Sequence, residues 1–332
     1  MPRGNPLLLD RRAVIMSSLG LAIGGAMSRK PASAAQTEMP PRDDRAPPFY
    51  RFRLGSAEVT VVSDGPFALE NPSAIFLGGD EGRIETLLSD NFLPADKLVL
   101  QQNILIVDQG GKRALFDAGM GSFNLFGAST GRLERSLAGA GISPREIDAV
   151  VCSHAHVDHI GGLVGDGGAA TFPNAQIYID EADFEFWTDD ARHGARLRPF
   201  VEVARRCLLP HRDRIIFFKD GEEFLPGIQA LAAPGHTVGH TCFLITSGKE
   251  TLCFGADLAH HHIVMLEQPR LEVAFDTDPK EAVASRLRIL NLLARERIAL
   301  AGYHFPWPGI GHVARVGEGF RYVPTPMQLV ME

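Results

Sequence analysis

The stretch VVCSHAHVDHIGG, residues 150–162, guides the interpretation of the whole chain. An apolar run of strand type leads into four candidate metal ligands within six residues and then into a glycine pair; the candidates are His154, His156, Asp158 and His159. His154 and His156 are two positions apart, so they share a face if the strand alternation continues. Asp158 and His159 fall in the following turn and can point to a second position. Three of the chain's 12 histidines lie in these six residues, which favours a divalent-metal site over a loop that is merely rich in histidine.

Three further candidate donors follow strand-like runs in the second half of the chain. His236 lies in APGHTVGHT, Asp257 ends LCFGAD, and His304 lies in GYHFP. Because strand exits form one edge of a packed pair of sheets, we expect these donors to meet the histidine cluster there.

Several polar residues near these motifs have other interpretations. Asp117, in LFDAG, is a candidate to fix a ligand imidazole, and a simple turn residue is an equal alternative. We expect His240 to be a hydrogen-bonded structural residue. The run from His260 to His262 is interpreted as solvated or at the edge of a pocket, since seven other candidate donors are already present.

Short β-branched runs alternate with helical segments in two successive halves. Strands are predicted at residues 58–62, 102–107, 113–116, 147–152, 176–179, 229–232, 242–246, 251–254 and 298–302. Helices are predicted at residues 132–140, 181–187, 195–208 and 279–295. The pattern indicates an α/β fold in which two sheets pack together with helices outside.

These motifs together resemble the metallo-β-lactamase superfamily, whose His-x-His-x-Asp-His signature is matched in full. The resemblance implies a four-layer αβ/βα sandwich over residues 49–332, with two mixed β-sheets flanked by helices. It also implies two divalent metals. One metal would be held by His154, His156 and His236 and the other by Asp158, His159 and His304, with Asp257 bridging the pair.

The ligand set and several other stretches narrow this resemblance to methyl parathion hydrolase and its lactonase and arylesterase relatives. The stretches include LFG at 125–127, FPNA at 172–175 and FPWPGIGH at 305–312. Those enzymes line their pocket with aromatic residues, which Phe126 matches, and we expect Phe184 and Trp187 as further lining. Glu185 stands where another family aromatic is expected, which disfavours a phosphotriester and favours a lactone or carboxylic ester. A homodimer is implied by the resemblance alone.

The resulting hypothesis is a dinuclear hydrolase. Two metals, expected to be zinc although manganese, iron or cobalt also suit these donors, would activate a bridging hydroxide that attacks a lactone, an aryl ester or an organophosphate triester. Asp257 and Asp158 are the candidate catalytic carboxylates. The alternatives are a mononuclear iron oxygenase acting on a sulfur substrate and a metal-binding protein without turnover.

The N-terminal sequence and the composition restrict the cellular compartment and the binding partners that we expect. Residues 1–34 resemble a twin-arginine export signal, with Arg11 and Arg12 ahead of a short apolar stretch, so we expect a periplasmic or secreted protein. Residues 35–48 are expected to be a disordered linker. Without the signal the net charge falls from −7 to −11, which argues against nucleic acid as a partner, and we expect no membrane span in the mature chain. A small ester-like molecule is the expected partner, and the four cysteines are expected to be buried free thiols.

Overall fold

The computed structural model describes residues 49–326 except 80, 81, 124, 190, 192, 193, 195 and 196. The expected export signal and linker lie outside the described residues. Within them, no helix combines the length and the apolar character needed to cross a membrane.

The strands and helices alternate in chain order. The strands are β1 (Phe49–Leu54), β2 (Ala57–Ser63), β3 (Phe67–Glu70), β4 (Phe76–Leu77), β5 (Lys97–Leu100), β6 (Asn103–Gln109), β7 (Lys112–Phe116), β8 (Ala149–Val151), β9 (Gln176–Asp180), β10 (Ile215–Phe218), β11 (Glu223–Leu225), β12 (Ile228–Ala232), β13 (Thr241–Ser247), β14 (Glu250–Ala256), β15 (Glu272–Val273), β16 (Ala299–Gly302), β17 (Ile310–Val316) and β18 (Gly319–Pro324). The α-helices are α1 (Pro72–Ile75), α2 (Arg83–Asp90), α3 (Leu133–Gly139), α4 (Val157–Ile160), α5 (Glu181–Thr188), α6 (Arg198–Leu208), α7 (Val264–Glu267) and α8 (Pro279–Glu296).

The strands form two large mixed sheets, which confirms the predicted α/β class. The first has the order β1-β2-β6-β7-β8-β9-β10 and the second β11-β12-β13-β14-β16-β17-β18. Parallel pairing joins β7 to β8, β8 to β9 and β14 to β16. The sheets pack face to face, because the ring of Phe116 in the first lies 5.6 Å from Phe243 and 5.4 Å from Phe254 in the second.

The predicted elements are present, with small shifts at their ends. The helix expected from residue 195 begins at Arg198, and the strand expected at 147–152 is confined to Ala149–Val151. The hairpin β17–β18 and the pairing of β3 with β5 were not predicted. All four cysteines are free and buried, as expected.

The loops that follow four strands carry the candidate donors to one edge of the two packed sheets. β8 ends before the histidine cluster, β12 before the loop of His236, β14 before Asp257 and β16 before His304. Neighbouring parallel strands end on the same side of a sheet, and the β14–β16 pairing therefore places Asp257 near His304.

Helix α8 holds the chain segment that follows the exit of β14. Its first turn is capped by Asp278, whose side chain accepts hydrogen bonds from the backbone N–H groups of Lys280 and Glu281. Arg286, on the same helix, is 1% exposed and donates to the carbonyl oxygens of Leu258, Pro269 and Leu271 at 2.9, 2.9 and 2.7 Å. The segment after Asp257 is thus tied to α8 by a buried guanidinium group.

We expect Arg286→Met to lower the free energy of unfolding by about 3 kcal/mol or more, because a buried carbonyl left without its donor costs roughly 1–3 kcal/mol. Urea denaturation followed by circular dichroism measures this change. The matched control is Arg295→Met, which removes a side chain that is 71% exposed and should shift stability by no more than about 0.5 kcal/mol. Equal stabilities for the two variants would contradict the assigned role of Arg286.

Candidate metal centre

Three imidazoles meet on one side of the centre. The distances are 3.1 Å from His154 Nε2 to His156 Nδ1, 3.0 Å from His156 Nδ1 to His236 Nε2, and 3.2 Å from His236 Nε2 to His154 Nε2. Donors around a tetrahedral zinc lie about 3.4 Å apart when the bonds are about 2.1 Å long. The three nitrogens therefore face a common point at the spacing that one cation requires.

A second triad lies beside the first. Asp158 Oδ2 is 3.4 Å from His159 Nε2 and 3.6 Å from His304 Nε2. The strand alternation considered for His154 and His156 does not apply, because β8 ends at Val151. Asp158 and His159 lie in the short helix α4 and belong to the second triad, as expected for the turn after the strand.

Asp257 stands between the two triads and offers one oxygen to each. Its Oδ2 lies 3.3 Å from His236 Nε2, and its Oδ1 lies 3.2 Å from His159 Nε2 and 3.3 Å from His304 Nε2. The structure thus brings together all seven residues predicted as ligands. Whether they bind metal stays a prediction.

The chemistry of the cluster fits a pair of divalent cations. His159 Nε2 and Asp257 Oδ1 are buried and have no hydrogen-bond partner, although unsatisfied buried polar atoms are costly. A cation between them would satisfy both atoms. Several groups of three donors surround the centre, and within each group the donor atoms lie within 4.8 Å of one another. Nitrogen and oxygen donors of this kind suit zinc and the neighbouring transition metals.

The second nitrogen of each of three candidate ligands is fixed by a hydrogen bond, which orients its Nε2 towards the centre. Asp117 Oδ2 lies 2.7 Å from His159 Nδ1, Asp276 Oδ1 lies 2.8 Å from His236 Nδ1, and the Gln101 carbonyl oxygen lies 2.8 Å from His304 Nδ1.

Asp117 combines both roles considered for it. It adopts a turn conformation with a positive φ of 62° and also accepts hydrogen bonds from the N–H and hydroxyl of Ser153. Asp276 was not identified from the sequence, since it directly precedes the helix start at Thr277–Pro279 and resembles a capping residue there.

Burial and charge act in opposite directions on the pKa values of these groups. Burial lowers the pKa of His154 and of His156 well below the ordinary value. Burial would lower the pKa of His236 as well, but hydrogen bonds to Asp257 and Asp276 raise it to about 9. The neighbouring carboxylates therefore outweigh burial at His236 but not at His154 or His156.

His240 has the structural role expected of it. Its Nδ1 contacts the carbonyl oxygen of Ala233 at 3.0 Å, and its Nε2 accepts the backbone N–H of Asp257 at 3.1 Å. The run after Asp257 was expected to be solvated or at the edge of a pocket; His260 and His261 are buried, 2% and 4% exposed, and His260 lines the cavity over the centre. His260 lies inside the centre, with its Nε2 3.1 Å from Asp257 Oδ2.

The centre opens into a cavity of about 740 Å³ whose walls are mostly apolar. The apolar lining residues are Phe67, Leu69, Leu100, Phe126, Val157, Trp187, Leu197, Phe200, Ala274 and Phe275. Phe126 stacks on Phe67 with ring centroids 4.5 Å apart. Trp187 meets the edge of His156 at 5.2 Å. Both residues line the cavity as expected.

Phe184, in contrast, does not line this cavity. It lies on another face of helix α5, 3% exposed, where its ring packs against Phe217 and under the guanidinium of Arg212. Glu185 borders a separate surface cavity on that side. A helix turns by about 100° per residue, so Glu185 lies about 200° from Trp187 and faces away from the centre. The sequence argument from Glu185 against a phosphotriester therefore loses its basis.

Comparison with known proteins agrees with this architecture. A family profile described as the metallo-beta-lactamase superfamily matches residues 98–301. Among solved structures, AidC, described as a dizinc quorum-quenching lactonase in complex with a product, has a TM-score of 0.81 and 32% identity, covering 86% of this chain and 100% of that one. Hydrolase AbOPH, described as belonging to the beta lactamase superfamily, has a TM-score of 0.79 and 26% identity, covering 86% of this chain and 99% of that one.

Curated relatives match over shorter stretches. An N-acyl homoserine lactonase of Bacillus thuringiensis is 29% identical over 168 residues, which is 50% of this chain and 59% of that protein. One from Bacillus sp is 34% identical over 118 residues, which is 36% of this chain and 40% of that protein. The chain therefore matches about half the length of these relatives. A special closeness to methyl parathion hydrolase is not shown by these matches. The family match and the fold together establish that this chain belongs to the metallo-beta-lactamase superfamily.

Proposed function

We propose that this chain is a two-metal hydrolase that opens the ring ester of a lactone carrying an apolar substituent. The observation that carries the proposal is the Asp257 carboxylate, which gives one oxygen to each of two donor triads at the base of an apolar cavity. The similarity to AidC and to the lactonases of Bacillus supports a lactone as the substrate class.

The metal ions, which we propose to be zinc, would lower the pKa of a bound water and polarise the ester carbonyl. The chain's own groups supply the geometry. Asp257 would hold the two ions at a fixed separation, and Asp158 would complete the second triad while its negative charge stays beside the reacting ester. Outer hydrogen bonds to Asp117 and Asp276 keep the imidazoles from turning when substrate enters.

The cavity explains how an apolar substituent would be bound. Val157 and Trp187 lie next to the triads, whereas Phe126, Phe200 and Phe275 are 36%, 38% and 39% exposed and border the mouth. The walls between them are aliphatic and aromatic. Transfer of an acyl chain from water to these walls is favourable, and the ester is then held against the donors at the base.

We expect Asp257→Asn to lower kcat/KM for a lactone by roughly 10²–10³-fold or more, because an amide cannot offer oxygen to two cations at once. Lactone hydrolysis followed by proton release, together with zinc analysis of the purified protein, measures this. Asp148→Asn is the matched control, since Asp148 pairs with Lys112 away from the centre and should leave turnover unchanged.

Wild-type protein is assayed in parallel on lactones, aryl esters and phosphotriesters. Zinc-loaded protein that hydrolyses aryl esters or phosphotriesters but no lactone would replace the proposed substrate class. Zinc-loaded protein that hydrolyses none of them would overturn the assignment as a hydrolase, and full activity in Asp257→Asn would overturn the role of the shared carboxylate.

The apolar walls also predict how affinity depends on the substituent. We expect KM to fall by at most about fourfold for each methylene added to the acyl chain, which corresponds to about 0.8 kcal/mol for each buried methylene. Phe200→Ala should raise KM for long acyl chains more than for short ones, because a wall residue is removed while the metal centre is kept. KM values across an acyl series measure both effects.

Val316→Ala serves as the control for this series. Val316 is 56% exposed in β17 and does not line the cavity, so its variant should reproduce the wild-type dependence. A KM that is independent of chain length in the wild-type protein would place the substituent outside the cavity.

A further inference from the structure

Each donor triad is assembled from two distant parts of the chain. The first joins His154 and His156, which follow β8, to His236, which follows β12. The second joins Asp158 and His159 to His304, more than a hundred residues later. The geometry of each triad thus depends on whatever holds its two loops at a fixed distance.

Asp183 connects the two loops of the first triad. Its Oδ2 accepts the backbone N–H of Ala155, the residue between the two histidines, at 2.7 Å, and its Oδ1 accepts the backbone N–H of Gly239 at 2.9 Å. The residue is 0% exposed and lies in the first turn of helix α5, with Asp180 as the helix cap. Hydrogen bonds from N–H groups to a buried carboxylate are among the stronger ones in proteins.

The fit around this connection is tight. A side chain at Gly239 would place its Cβ 2.3 Å from Asp180 Oδ1 and 2.8 Å from Asp183 Cβ. The loop of His236 therefore lies directly against the start of α5, at a distance that only glycine permits.

Tyr303 connects the two parts of the second triad. Its hydroxyl donates to the carbonyl oxygen of Asp158 at 2.5 Å, and its ring lies 4.3 Å from that of His159 at an angle of 32°. The side chain is fully buried and directly precedes His304 in the chain. One residue thus ties helix α4 to the exit of β16.

We propose that Asp183 and Tyr303 are positioning residues, each of which sets the cation affinity of one triad: Asp183 that of His154, His156 and His236, and Tyr303 that of Asp158, His159 and His304. The proposal rests on the two-metal centre of the proposed function. It goes beyond that function by assigning separate control of the two positions to two side chains that are not donors.

The test uses the full-length protein in two conservative variants. Asp183→Asn keeps the shape of the side chain but turns an N–H group towards one of the two backbone donors, and Tyr303→Phe removes only the hydroxyl group. Stepwise titration of each metal-free protein with zinc, in competition with a chromophoric chelator, gives the two dissociation constants. Each variant should weaken one position by about 10- to 100-fold and leave the other within a few-fold of wild type.

Cobalt substitution identifies which position is weakened. His236→Asn and His304→Asn serve as references in which the first or the second triad lacks a ligand. At limiting cobalt, the visible spectrum of Asp183→Asn should match that of the His236→Asn reference, and that of Tyr303→Phe should match the His304→Asn reference. Asp148→Asn and Tyr322→Phe, which alter side chains outside the centre, control for the chemical change itself.

The outcomes separate this inference from the proposed function. Wild-type protein that binds fewer than two zinc ions overturns the two-metal proposal and this inference with it. Wild-type protein that binds two ions, combined with variants that weaken both positions equally or neither, overturns this inference alone. If Asp183→Asn does not fold, Tyr303→Phe decides the question: selective loss at the second triad supports the assignment, and equal loss at both refutes it.

Discussion

The shared carboxylate of Asp257 is the constraint on which the arrangement of the site depends. Its two oxygens lie 3.3 Å from His236 Nε2 and 3.2 Å from His159 Nε2, so a shift of either triad would break one of the contacts. Two carboxylates packed among five imidazoles, the seven candidate donors, would be unfavourable without cations or mutual pairing. The crowding of donors is therefore understandable if the chain is built to hold positive charge at this point.

The fold brings the donors to Asp257 on loops of irregular backbone that begin where strands end. Loops at strand exits can turn donors inwards because no ladder hydrogen bond fixes them, and they must then be held by other means. Asp117, Asp183 and Asp276 each accept hydrogen bonds from the loops or from a candidate ligand. Arg286 and Tyr303 act on neighbouring carbonyl oxygens. The regular sheets supply a rigid edge, and these buried polar side chains supply the fine positions.

The lining of the cavity above the centre depends on how the helices and loops that carry its aromatic residues are oriented. Phe67 and Phe126 come from separate segments and stack at 4.5 Å, whereas Trp187 and Phe184 are neighbours in one helix and face different surroundings. Of the three aromatic residues expected to line the cavity, Phe126 and Trp187 do so and Phe184 does not. Helix orientation decides which aromatic residue a substrate would meet, and orientation follows from packing on the rest of the protein.

The sequence by itself determined the fold class, about half of the strands and helices that the structure describes, and the seven candidate donors, because hydrophobic periodicity is local and the His-x-His-x-Asp-His spacing is compact. Only the tertiary structure decided that Asp276 and Asp183 belong to the site, that His260 lies inside it, and that Phe184 lies outside it. A side chain's role in a site depends on groups far away in the chain. Their distances are set by sheet packing and by loops whose conformation leaves no periodic signal in the sequence.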